Sequence, residues 1–450
     1  MYEDNLEELK VRSGLKVFKH IINNSSPILP FRAHNQDITK FPHGFDEIMG
    51  DFSRICLNRS WNKTFEVTNT VDLILSNENK VYSYNNENLN LILMEYLIND
   101  DSKLNILHPY LFLYISKSED RKSKNETEIA TFFRDVFFKD IENFERIFSN
   151  KKSDNVMLKL ILNNIPELPE KIIPHKYLSC LKFILDVFKE DIEFIRENSK
   201  FLIKNLENIL IFYYFYYCSQ VFIKLNQQFS NVNLNSPTRI YYLLDWENAS
   251  KSRKSLNEGY NLIKDIYLNS FVNMVLIDYL NALAGTHGLF VNQISELLKS
   301  GVINSSEYLK ILNEWVKYYD EIHKLDNYTY LDNFEDLVKI LKKDLTDGVR
   351  FQRKYAFKDN LENIGKKYFL KRRGQYGYIL NITKDFLYLI TALCVKEEKI
   401  KLNDLFKEYE RRGLFFDRYS KEEIINLLNT WNLIDKKSDS GDAQYVKSIL

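Results

Sequence analysis

Few side chains in this 450-residue sequence have the types and spacing that catalysis needs. Asp245 and Glu247 flank Trp246, with Lys251 close behind. Two carboxylates and a lysine could hold Mg²⁺ and activate water against a phosphodiester, which is nuclease chemistry. A single cluster of this kind is also what an ordinary charged turn contains, so a cryptic nuclease stays open as a minor alternative. His20, His34 and His43 lie near the N-terminus, but their irregular spacing and the lack of nearby cysteines do not match a zinc site. His287, within Gly285-Thr-His-Gly288, reads as part of a turn joining two helices rather than a general base. The Gly-x-x-x-x-Gly-Lys phosphate loop, Gly-x-Ser-x-Gly and His-Glu-x-x-His are all missing from the sequence. The expectation is a chain with no catalytic residues, no metal and no cofactor, which acts by binding.

The binding candidates are basic residues set among aromatic ones. Arg353 and Lys354, then Lys366 and Lys367, then Lys371, Arg372 and Arg373 are interleaved with Phe351, Tyr355, Tyr368, Phe369, Tyr376 and Tyr378. Cations meet phosphates, and rings stack on bases or sugars, so the mixture suits nucleic acid. Arg411, Arg412, Arg418, Lys436 and Lys437 extend the candidate DNA-binding set toward the C-terminus. The rival reading is a solvated helix face followed by a linker. Lys251-Ser-Arg-Lys254 is shorter and reads as a solvated turn. The formal net charge of zero conceals an asymmetry, because residues from Arg350 onward carry a surplus of seven positive charges. That balance argues against a basic coat over the whole molecule and leaves room for a local patch.

The elements that must hold these residues are mostly helices. Aromatics are plentiful, with 31 Phe and 29 Tyr, while 13 Gly and 8 Pro are too few for a turn-rich β architecture. The fold class expected is mainly α: a multi-helical body with a C-terminal winged-helix-like module of α/β character. The Asn- and Ser-rich stretch from Gln227 to Pro237 suggests a boundary, giving a helical domain over 1–230, a second over 231–375 and the module over 376–450. In the first, a helix is expected from Tyr2 to about Ile22 and a strand at Thr64–Val71. A polar loop at Lys117–Glu126 and one helix from Ile129 to Phe148 should follow. The run Ile209–Ile223 is apolar, but it is too short to span a bilayer and is interrupted by Ser219 and Gln220, so it reads as a buried core helix. Four scattered cysteines, Cys56, Cys180, Cys218 and Cys394, and an acidic N-terminus without an apolar leader lead to the expectation of a cytoplasmic protein with reduced thiols and no membrane partner.

The module has the clearest local logic. Thr383–Val395 reads as a helix, Ile400-Lys-Leu402 as a short strand, and Asn403 as the cap of a second helix that stops at Gly413. Ser420-Lys-Glu-Glu423 has capping-box spacing ahead of a third helix. Apolar runs on either side of Lys436-Lys-Ser-Asp-Ser-Gly-Asp442 read as a hairpin. In the third helix, the DNA-reading position of a winged helix, the exposed residues would be Lys421, Glu422, Glu423, Asn426, Asn429 and Thr430. Two carboxylates at its start would repel phosphate, so docking on protein is a standing alternative.

Three C-terminal segments, Arg372-Arg-Gly-Gln-Tyr-Gly-Tyr-Ile-Leu-Asn381, Glu410-Arg-Arg-Gly-Leu-Phe-Phe-Asp-Arg-Tyr-Ser420 and Lys436-Lys-Ser-Asp-Ser-Gly-Asp-Ala-Gln-Tyr-Val446, resemble the DptG family of DNA phosphorothioation-dependent restriction proteins. Asp245-Trp-Glu247 is similar with less specificity. The resemblance implies a subunit of a bacterial defence (anti-phage) complex that attacks DNA lacking phosphorothioate marks. It implies DptF-like and DptH-like partners with ATPase and helicase-like activity, and it supplies no catalytic residue to carry over.

Overall fold

The computed structural model describes residues 2–14, 17–34, 38, 41, 44–61, 86–98, 103–117, 123–230, 232–244, 253–436 and 444–449. The expected strand at Thr64–Val71, the Asp245–Glu247 cluster, Lys251, His43 and Lys437 lie outside them. In chain order the helices begin with α1 (Tyr2–Ser13), α2 (Asp46–Cys56), α3 (Asn86–Leu97), α4 (Ser123–Phe132), α5 (Arg146–Ser149) and α6 (Val156–Asn164). There follow α7 (Lys182–Ile195), α8 (Ser199–Gln227), α9 (Asn261–Ala284), α10 (Val291–Lys299), α11 (Ser305–His323), α12 (Phe334–Gly348) and α13 (Phe351–Tyr368). The last three are α14 (Lys384–Val395), α15 (Leu402–Arg411) and α16 (Arg418–Thr430). The strands are short: β1 (Tyr241–Tyr242), β2 (Leu370–Arg372), β3 (Tyr378–Leu380), β4 (Ile400–Lys401), β5 (Phe415–Phe416), β6 (Ile434–Lys436) and β7 (Gln444–Val446). The chain is mainly helical, with small sheets concentrated toward its C-terminus.

The chain divides into two compact units, one formed by residues 1–40, 177–187 and 212–450, the other by 41–176 and 188–211. In the second unit, Phe52, Phe138, Phe144 and Phe148 pack ring against ring, with Phe52–Phe138 centroids 4.6 Å apart and Phe138–Phe144 centroids 4.3 Å apart. Arg54 is buried beside them; it is paired with Asp51 at 2.8 Å and donates to the carbonyls of Leu113 and Ile115. Two expectations fail in this unit. The single helix over Ile129–Phe148 is interrupted, because α4 passes into a π turn at Phe133–Phe137 and Asn143 takes a left-handed φ of 55°. The end of the polar loop expected at Lys117–Glu126 is helical instead, since α4 already begins at Ser123, and residues 118–122 lie outside the described residues.

In the first unit the core forms where α9, α13 and the segment 212–227 meet. Phe357 packs against Phe31, Phe222 and Phe271 at centroid distances of 5.5, 5.8 and 5.5 Å. Residues 209–225 of α8 are buried on every face, as expected for an all-round apolar helix inside a protein. The two polar interruptions are satisfied there: Ser219 hydrogen-bonds the Tyr267 hydroxyl at 2.7 Å, and Gln220 bonds both backbone groups of Thr238 at 2.8 Å. Leu256–Ala284 is long and apolar enough to cross a membrane, and 78% of its most apolar window is buried.

The N-terminal helix ends at Ser13 rather than Ile22. Gly14 turns the chain with a φ of 91°, and beyond it a buried carboxylate on α9 takes hold. Asp278 Oδ1 accepts the backbone N–H groups of Asn24, Ser25 and Ser26 at 3.1, 2.8 and 3.0 Å, while Oδ2 pairs with Arg12 at 2.9 Å. Removing one partner of such a buried set leaves the other groups unsatisfied. Asp278→Ala is expected to lose about 3–5 kcal/mol of stability, read as a lowered urea midpoint by circular dichroism.

A second buried carboxylate behaves differently. Asp344 accepts from the Asn327 side chain at 2.9 Å, and its other oxygen has no hydrogen-bond partner among the described residues. Burial pushes this carboxyl up to about 6, with the Asp320 charge adding to the effect and the Asn327 bond opposing it. Between the unfolded value of 3.8 and about 6, the folded chain keeps a proton that the unfolded chain has released, so this group lowers stability as pH rises through that window. Asp344→Asn should therefore melt higher than the parent at neutral pH, and the gap should close below about pH 4 in paired thermal scans.

Candidate nucleic-acid interface

The sequence-derived cations separate into three groups. Arg353 and Lys354 belong to the interior side of α13. The Arg353 guanidinium lies 5.7 Å from the Phe271 ring, donates to the His20 carbonyl at 3.0 Å and meets His34 Nε2 at 3.3 Å. Lys354 is 9% exposed and donates to the Thr346 carbonyl at 2.6 Å, where a cation complements the C-terminal end of α12. Neither is placed to receive a phosphate, and both are corrected here to structural cations. His20 is buried against Tyr319, 2.7 Å from its hydroxyl, and burial together with His323, Arg353 and Arg350 pushes its imidazole down to about 3.

The second group sits in the last two helices. Arg412, expected on the surface, has a fully buried side chain that bonds Glu408 at 2.7 Å and the carbonyls of Glu408 and Leu393. It holds α15 against α14 and is likewise removed from the DNA-facing set. Arg411 is exposed but bonded to both oxygens of Glu408, and Arg418 is exposed with Glu422 at 2.9 Å. Lys436 is a backbone member of β6, paired with Gln444 of β7.

The third group forms a continuous ridge. Helix α13 ends at Tyr368 with Lys366 and Lys367 exposed, and the chain runs directly into β2 with Lys371 and Arg372 exposed and Arg373 half-buried. The segment that the rival reading takes as a linker is a hairpin: β2 pairs antiparallel with β3, Lys371 opposite Ile379 and Arg372 opposite Tyr378. A 3-10 turn at Gly374–Tyr376 closes it, with φ values of 41° at Gly374 and 68° at Gly377. Tyr376 stands exposed at the tip.

Beneath the ridge, Glu362 organises the charges. It accepts from Lys358 at 2.6 Å, from Lys366 at 3.0 Å and from the Tyr260 hydroxyl. Burial alone would raise this carboxyl, but the hydrogen bonds from Lys358, Tyr260 and Lys366 outweigh it and hold it down at about 2. Lys366 also lies 5.6 Å from the Tyr378 ring, which couples the helix end to the hairpin. Sequence reading missed Glu362, although its spacing of four residues from both Lys358 and Lys366 was available as a signal.

Downstream, α14, β4, α15, α16, β6 and β7 follow in that order, and the three outer strands form an antiparallel sheet ordered β4-β7-β6. Helix α14 forms where expected, with Thr383 as its cap rather than its first residue. Helix α15 starts at Leu402 without a side-chain cap, so Asn403 is not its cap. Helix α16 begins earlier than expected: Asp417 caps it, and Ser420 lies inside the helix, accepting the Leu244 N–H at 3.2 Å. Gly413 takes a φ of 77°, and a Cβ there would run into the Tyr216 ring at 2.1 Å, so glycine is required on both counts. Among the described residues, no three His, Cys, Asp or Glu side chains form a group able to hold a metal. All four cysteines are free thiols. Compared with known proteins, the chain matches no protein-family model and no curated protein, so the likeness to restriction proteins rests on the quoted C-terminal segments alone.

Proposed function

We propose that this chain is a non-catalytic, DNA-contacting subunit of a phosphorothioation-dependent restriction complex, working in the bacterial cytoplasm beside DptF-like and DptH-like ATPase and helicase-class partners. The observation that carries the DNA part is the exposed run of Lys366, Lys367, Lys371 and Arg372 on a helix end and a tight hairpin, with Tyr376 at the tip. Cations on rigid elements suit phosphate contact, because little side-chain and loop ordering remains to be done on binding. The order of elements from α14 to β7, with its small antiparallel sheet, supports a winged-helix-like reading of the C-terminal module.

A specific observation favours a second role for that module. On α16, Arg418 is matched by Glu422, and the helix adds Glu423 without any arginine aimed outward elsewhere. An exposed helix face whose cations are matched by carboxylates offers phosphate no net attraction and suits a protein partner. The division of labour is therefore DNA on the hairpin ridge and the ATPase-class partner on α16.

Fluorescence anisotropy with a labelled duplex across a salt titration tests the first part. Affinity should fall steeply with salt, and changing Lys367, Lys371 and Arg372 together to Ala should flatten the log–log slope by about two to three, at about 0.9 per lost phosphate contact. Binding that ignores both salt and these substitutions would remove DNA from the assignment. The α16 surface is tested by Glu422→Lys with Glu423→Lys: co-purification with the ATPase-class partners should weaken while the duplex titration stays in place. Retained co-purification would move the partner surface elsewhere.

A further inference from the structure

We propose that the cleft between β1, β5 and the start of α16 is a nucleotide-binding site. Its volume is about 710 Å³, inside the usual range of small-ligand pockets. Tyr241 and Phe415, neighbours across the parallel β1–β5 pair with ring centroids 6.2 Å apart, give it an aromatic floor, Phe416 adds to its lining, and Tyr419 stands half-exposed on its rim. Two exposed cations lie over these rings. The Arg239 guanidinium is 6.0 Å from the Phe415 centroid, and the Lys254 ammonium is 5.3 Å from that of Tyr241.

The charge balance of the cleft sets these two apart. Arg418 is matched by Glu422 at 2.9 Å, and Lys421 by Glu410 at 3.6 Å. Asp417 is engaged by the Ser420 N–H at 2.8 Å and by the Ser255 hydroxyl at 3.4 Å. Among the described residues, Arg239 and Lys254 face no carboxylate, and aromatic rings are their only partners. A guanidinium stacked on a ring keeps its edge N–H groups for an oxyanion. Counting Arg239, Lys254, Arg418 and Lys421 against Glu410, Asp417 and Glu422, the cleft sets a net positive charge of one beside its apolar surface, which fits a nucleobase joined to a phosphate better than either alone. That unit can come from a free nucleotide or from one residue of a single strand. None of these residues belongs to the hairpin ridge, so the assignment stands apart from the duplex reading.

Isothermal titration of the full chain with deoxyadenosine monophosphate is the test, with inorganic phosphate and deoxyadenosine as comparators. Saturable one-to-one binding is expected, weakened about tenfold or more by Arg239→Gln and again by Lys254→Gln. Both side chains are exposed, so the fold should tolerate the changes. Tyr419→Ala should weaken the nucleotide without altering any residual phosphate binding. No saturable binding, inorganic phosphate binding as tightly as the nucleotide, or full affinity in the doubly substituted chain would each overturn the proposal. Competition by an oligo-deoxyadenosine single strand supports the site and identifies a strand as the source; its failure to compete, with the mononucleotide still bound, supports the site and identifies a free nucleotide. The Lys371→Ala, Arg372→Ala chain separates this result from the duplex reading, because it should bind the mononucleotide normally whatever it does to duplex.

Discussion

The C-terminal third depends on a short extended run, residues 240–244, that is hydrogen-bonded along both edges. On one side Tyr241 and Tyr242 pair in parallel with Phe415 and Phe416. On the other, the Leu243 N–H donates to the Leu380 carbonyl at 2.9 Å, and Asn381 donates back to the Leu243 carbonyl at 2.8 Å. Ser420 accepts from Leu244 at the end of the run. Buried backbone groups must find partners, and this segment meets that demand by joining the hairpin to the α15–α16 turn. Residues far apart in sequence are thereby fixed at one place: the end of β3, the start of α16 and the aromatic floor between them. The basic ridge inherits its rigidity from the same arrangement, since β3 is held on one edge by β2 and at its end by Leu243.

Two buried carboxylates on the helical side show how environment decides what an acidic group does. Asp278 and Asp344 are both inaccessible to solvent. Asp278 meets three backbone N–H groups and a guanidinium, so its charge ties the 24–26 segment to α9. Asp344 meets one amide and the nearby Asp320 charge, and keeps its proton into mildly acidic conditions. Glu362 differs from both: burial pushes the Asp278 and Asp344 carboxyls up, whereas two lysines and a tyrosine hold Glu362 charged, and it fixes where Lys366 stands. Of the cations around it Glu362 is bonded by Lys358 and Lys366, while Lys367 and Arg372 are exposed.

Local signals in the sequence were reliable where one residue type has one local job. Gly413 past a helix end and the burial of the aromatic run 209–223 follow from backbone freedom and all-round apolarity. Capping failed where two candidates stood three residues apart: Asp417 and Ser420 are both good caps, and the choice went to Asp417 because Ser420 is taken by Leu244, a contact across 176 positions. The hairpin over Leu370–Leu380 was not legible because strands of three residues leave too little alternation to detect, and β3 gains its partner from residue 243. Arg411 and Arg412 are indistinguishable by type, yet one is exposed and the other fully buried, since a helical turn places neighbours on different faces.

That sorting of cations bears directly on how a chain of zero net charge can carry a DNA surface. Counting basic residues overstates the field, because Arg353, Lys354 and Arg412 spend their charge on carbonyls and carboxylates inside the fold. Arg411 and Arg418 lie within hydrogen-bonding distance of glutamates, so at a distance beyond the Debye length, about 8 Å at physiological salt, each pair acts as a weak dipole. The exposed cations outside these pairs include Arg372 on β2 together with Arg239 and Lys254, while Lys366 at the end of α13 is bonded to Glu362. Short-range concentration of charge, rather than net charge, is what a phosphate a few ångströms away responds to. The matching acidic surplus lies in residues 1–349, so the C-terminal third differs in sign from the rest of the sequence.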